Sequence, residues 1–88
     1  MQRIQFYAGE DRHVRIKIHA TNGEPFIIRS AFWELRCSGQ VESEGECLIE
    51  EHVIDAKISP TRRTAYQLFI KYQVADETRI ECIEVEVK

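Results

Sequence analysis

Apolar and polar residues alternate with a period of two along most of this chain, the mark of strands that bury one face. Ile4 and Phe6 alternate with Gln5 and Tyr7, and Val14, Ile16 and Ile18 with His13, Arg15, Lys17 and His19. A short apolar stretch follows at Phe26-Ile27-Ile28. The next strand sets Trp33, Leu35 and Cys37 on one face against Glu34, Arg36 and Ser38. Between residues 47 and 59 the pattern is looser, with Leu48, Ile49, Ile54, Ala56 and Ile58 expected inward. Tyr66, Leu68, Ile70, Tyr72 and Val74 form the longest run, opposed by Gln67, Phe69, Lys71 and Gln73. The last strand, 79–87, changes phase: Ile80 and Cys82 share one parity, Ile83, Val85 and Val87 the other. That predicts either a β-bulge near Cys82-Ile83 or a strand that buries opposite faces at its two ends.

Turn chemistry divides these runs. Asn22-Gly23 tolerates the positive φ of a tight hairpin, residues Gly39 to Gly45 read as a polar connection, and Asp76-Glu77 as a turn. Ser59-Pro60 ends a strand, because proline donates no amide hydrogen. All four glycines (Gly9, Gly23, Gly39, Gly45) are expected between strands. No window combines a helical period with capping residues. Seven or so antiparallel strands in 88 residues predict one all-β domain over 1–88, an immunoglobulin-like β-sandwich, with a small β-barrel as the alternative. Trp33 is expected to be buried in its core.

Composition narrows the function classes. A hydrophobic fraction of 43% and a charged fraction of 31% are globular values. The net charge of −3 supplies no positive field for phosphates, so no nucleic-acid partner is expected. Three cysteines (Cys37, Cys47, Cys82) form no disulfide framework, which points to a reducing, cytoplasmic compartment. Cys37 and Cys82 lie in apolar patterns that suit small core residues. Residues 1–5 lack the apolar stretch of a secretory leader, and apolar runs of three residues cannot span a membrane.

Candidate chemistry is sparse. His13 and His19 share a strand face but stand six residues apart, roughly 20 Å, too far to hold one ion. No Gly-x-Ser-x-Gly elbow, glycine-rich phosphate loop or cysteine in an electropositive loop is present. The acids Glu42, Glu44, Glu46, Glu50 and Glu51 crowd a polar segment that reads as solvated surface. No catalytic, cofactor or metal residue is assigned, and an enzyme is not expected. The basic strand 12–19 is a distant candidate for nucleic-acid binding; the simpler reading pairs its charges with acids in 42–55.

Parity points instead to a contact surface. If Trp33, Leu35, Leu68 and Ile70 face the core, Phe32 and Phe69 face outward on neighbouring strands, as a contact patch or as residues that a loop covers. Protein partners or self-association are the expectation, with Arg15 and Lys17 orienting the contact.

The order of signals resembles the N-terminal immunoglobulin-like domain of phage baseplate upper proteins. The residues that carry the resemblance are Gly9-Glu10-Asp11, Asn22-Gly23-Glu24-Pro25-Phe26-Ile27-Ile28, Ile58-Ser59-Pro60, the run from Thr64 to Tyr72, and Ile83-Glu84-Val85-Glu86-Val87. The chain departs from that pattern at Arg63-Thr64-Ala65 and at Asp76-Glu77, where it lacks glycines. The resemblance implies a structural module of a phage or prophage tail, assembled into a virion particle and working by protein contact without a cofactor. It carries over no catalytic residue. A carbohydrate- or peptide-binding sandwich is the alternative function. Tyr66 also resembles the tyrosine corner of immunoglobulin-like folds, or is simply a core aromatic whose hydroxyl reaches water.

Overall fold

The computed structural model describes residues 2–19, 23 and 25–88. Among the described residues eight strands follow one another: β1 (Gln2–Phe6), β2 (Arg12–Lys17), β3 (Ile28–Cys37), β4 (Gln40–Glu46), β5 (Leu48–Glu50), β6 (Val53–Ile58), β7 (Ala65–Val74) and β8 (Glu77–Val87). They form a five-stranded sheet in the order β1-β8-β7-β3-β4 and a three-stranded sheet in the order β2-β6-β5. Two separate sheets make a sandwich, not the barrel alternative. The orders β8-β7-β3 and β2-β6-β5 are those of the two sheets of an immunoglobulin-like fold. The expectation of antiparallel strands needs one amendment, since β1 pairs with β8 in parallel.

The alternation of the sequence becomes the core. Phe6, Leu35, Ile54, Ala56, Leu68, Ile70 and Val85 are fully buried between the sheets, and each stands at an inward position of its strand. Leu35 and Leu68 face each other directly in the β3–β7 register. Two-residue turns close three hairpins, at Ser38-Gly39, Glu51-His52 and Ala75-Asp76. Ser38 and Gly39 both have positive φ, 52° and 79°, the geometry that lets a hairpin follow the strands' twist. The expected Asn22-Gly23 turn lies partly outside the described residues: Asn22 is not among them, while Gly23 has φ 74°.

Several expectations give way, each for a local reason. Residues 40–46 are the edge strand β4, not a connection, and Gly45 lies inside it. Trp33 is half-buried instead of buried, because its indole lies at the open edge of the sandwich against Gly45. A Cβ on Gly45 would stand 3.0 Å from Trp33 Nε1, so the bare backbone is what admits the ring. Leu48, expected inward, is 67% exposed on the short edge strand β5. The phase change at Cys82-Ile83 is not a bulge, since the β7–β8 register runs unbroken from Val74↔Glu77 to Ala65↔Glu86. Ile83, Val85 and Val87 point inward, while Ile80 and Cys82 point to the outer face of the same strand. The irregularities fall elsewhere: β3 carries an extra residue between Ile28 and Ser30, and β4 carries one opposite Leu35 and Arg36.

Candidate contact surface

The outer face of the five-stranded sheet gathers the apolar residues that the core leaves out. In register, Phe32 lies beside Lys71 and Lys71 beside Ile80; one row further, Glu34 lies beside Phe69 and Phe69 beside Cys82. Phe32 is 48% and Ile80 63% exposed. With Glu34, Arg36, Phe69 and Lys71 they line a hollow of about 250 Å³. The Arg36 guanidinium sits 4.5 Å over the Phe69 ring and is held there by an ion pair with Glu34. A cation on the ring face attracts the quadrupole and shields the ring from water, which is why Phe69 is half-buried although it faces outward.

The predicted interface residues do not form one patch. Phe32 and Phe69 share the outer face of the larger sheet, whereas Arg15 and Lys17 lie on the outer face of the smaller one. Arg15 pairs across the strand with Asp55, Nε to Oδ2 at 3.0 Å, and His13 Nδ1 lies 2.7 Å from the other carboxylate oxygen. Burial works to raise the Asp55 pKa, but the hydrogen bonds and charges of His13 and Arg15 together outweigh it, and the carboxyl titrates below its usual value. Part of the basic strand thus meets an acid of its own sheet, as the simpler reading held. Lys17 stands beside Val53, with no ion pair among the described residues.

Tyr66, at the start of β7, is a tyrosine corner. Its hydroxyl accepts a hydrogen bond from the Arg62 backbone N–H at 3.0 Å and donates one to Glu42 Oε1 at 2.8 Å. Thr61 Oγ1 donates to the same oxygen at 2.9 Å. Glu42 reaches inward because β4 carries an extra residue there: Leu35 pairs with Ser43 and Arg36 with Val41, leaving Glu42 without a partner. In the sequence Glu42 stands among the solvated acids, and nothing in the alternation distinguishes it.

All three cysteines are free. Cys47 is the buried one, and burial together with the Asp55 charge pushes its thiol up to about 11. Cys37 and Cys82, expected in the core, are half-buried; Cys82 faces outward beside Phe69. Among the described residues no three His, Cys, Asp or Glu side chains converge as metal ligands, and no helix is long and apolar enough to cross a membrane.

No protein-family model and no curated protein matches the chain. Among solved structures, the crystal structure of an engineered protein superposes with a TM-score of 0.77 at 18% identity, over 99% of this chain. That likeness shows the fold. The chain spans 18% of the length of that protein, so it corresponds to a small part of a much larger molecule.

Proposed function

We propose that this sandwich is a non-catalytic assembly module, of the phage or prophage tail type its sequence resembles, that works through protein–protein contact. The observation that carries the reading is the outer face with Phe32, Phe69 and Ile80. The five strands run five, eleven, ten, ten and seven residues, so the face covers about 700 Å², a little under one partner's share of a standard interface, about 800 Å². Phe32 and Ile80 are large, exposed and one strand apart from each other across Lys71, where a partner's side chain can seat between them. Partners of the tail type would be encoded by adjacent genes. The test is co-expression with those neighbours, using wild type and Phe32→Glu. Co-purification of wild type with a virion-type neighbour, lost in the variant while its melting temperature holds, supports the reading. Neighbours devoted to sugar utilisation, or retention of the partner by the variant, would sink it.

A second reading, a carbohydrate- or peptide-binding module, has one observation in its favour. The half-buried Trp33 borders a shallow notch with His13, Glu46, Leu48, Asp55 and Lys57, an aromatic beside polar groups. Saccharide titration followed by tryptophan emission separates the two readings, since only ligand binding at this notch shifts the spectrum.

A further inference from the structure

The two flanks of the sandwich carry opposite charge. One flank is built by β4 and β5, the edge strands of the two sheets, joined through Cys47 alone. From residue 38 to residue 52, over these two strands and their turns, the chain holds five acids (Glu42, Glu44, Glu46, Glu50, Glu51) and no lysine or arginine. The other flank is built by β1 and β2. Arg12 ties them together, donating to the Gln5 carbonyl at 3.0 Å and lying over the Phe6 ring. Residues 2–19 carry four cations (Arg3, Arg12, Arg15, Lys17) against two acids (Glu10, Asp11). The modest net charge of −3 therefore conceals a polarity across the width of the domain.

The edges on these flanks are open. Among the described residues β2 pairs with β6 alone and β4 with β3 alone, so each leaves a row of backbone N–H and C=O groups without strand partners. Two β4 edges cannot pair without setting Glu44 and Glu46 against their own copies, and two β2 edges meet the same repulsion from Arg15 and Lys17. Pairing β2 with β4 is the combination in which the charges attract. The lengths also agree, six residues in β2 and seven in β4.

We propose that the domain associates head to tail with copies of itself, the basic β2 edge of one copy adding as a strand to the acidic β4 edge of the next. Lys17 on one side, and Glu44 and Glu46 on the other, form no ion pair among the described residues and are the charges left to meet across the junction. Because the two edges lie on opposite flanks, the contact is heterologous and repeats: it closes into a ring if the rotation allows and otherwise runs on as a filament. The outer face with Phe32 and Phe69 takes no part, so it stays open to a different protein.

Sedimentation velocity at low ionic strength, on the full chain up to about 1 mM, tests this. Wild type should form species larger than a dimer as concentration rises, and these should weaken in about 1 M salt, where charges are screened beyond about 3 Å. Lys17→Glu alone and Glu44→Lys/Glu46→Lys alone should each stay monomeric, with unchanged melting temperatures because the sites are exposed. An equimolar mixture of the two should associate again, since each variant retains one native edge that fits the other's. Phe69→Glu should assemble as wild type does, which separates failure of this junction from failure of the outer-face reading. A wild type that stays monomeric throughout, charge variants that assemble like wild type, or assembly lost in Phe69→Glu alone would each overturn the proposal.

Discussion

Removing a single oxygen, by Tyr66→Phe, measures what the tyrosine corner does for the fold. The ring is 1% exposed and its shape is kept, so no cavity opens and the change isolates the hydroxyl. Two hydrogen bonds are lost: the one accepted from Arg62 N–H and the one donated to the Glu42 carboxylate. A bond to a charged group contributes roughly 1.5–3 kcal/mol and a neutral one about 1 kcal/mol. The Glu42 side chain is 22% exposed and retains Thr61, so water and the threonine recover part of the loss. The remainder is about 2 kcal/mol. At 4–8 °C per kcal/mol for a domain of this size, the melting temperature should fall by about 8–16 °C. Circular dichroism melts of wild type, Tyr66→Phe, Glu42→Gln and the double variant complete the cycle, with a coupling of about 1 kcal/mol expected for two groups in contact. A Tyr66→Phe melt within about 2 °C of wild type would refute the reasoning. The hydroxyl would then be doing no more than reaching water.

Two further changes probe the edge of the sandwich and its smaller sheet. Gly45→Ala places a methyl 3.0–3.2 Å from the Trp33 indole; the ring must shift outward, at a cost of about 1 kcal/mol, with a red shift of tryptophan emission. An unshifted spectrum would mean that the indole does not rest on this backbone. Asp55→Asn removes a carboxylate whose folded-state pKa is lowered. The stability it supplies is therefore complete above its unfolded pKa of about 3.9 and disappears as pH falls through the lower folded value. The variant should melt below wild type at neutral pH, and the gap should close below about pH 4; a gap unchanged at about pH 2 would show that charge is not its source.

Much of the sandwich is legible because four of its strands obey one rule. β2, β6, β7 and the second half of β8 turn one parity inward and the other outward, and the residues expected inward there are buried, with Ile16 and Val74 only half-buried. Phe32 and Phe69 were placed on the outer face by the same reasoning, and they stand there. Hairpin positions were harder. The turn at Glu51-His52 holds neither glycine, proline, asparagine nor aspartate, and Glu51 takes φ 52° with no sequence signal for it. The boundary between β5 and β6 is therefore invisible in the alternation, and Leu48, on a three-residue edge strand, was assigned to the wrong side. Arg15 and Lys17 were joined to the phenylalanines because parity assigns a face within a sheet but not which sheet a strand enters.

β4 was missed for a reason that also explains its structure. A strand is recognised by the apolar residues on its buried face, and the inward side of β4 carries Ser43 and Gly45. The space they leave is filled from the neighbouring strand, where the Trp33 indole lies beneath Gly45. The hydrophobic signal of β4 is thus written into β3, seen only as one more inward residue expected to be fully buried. Small inward residues and glutamates at alternate positions make a sequence that reads as solvated loop. On an exposed edge they have a physical role, because like charges prevent the strand from pairing with its own copy. The features that conceal β4 in the sequence are therefore the ones that restrict which strand can pair with it.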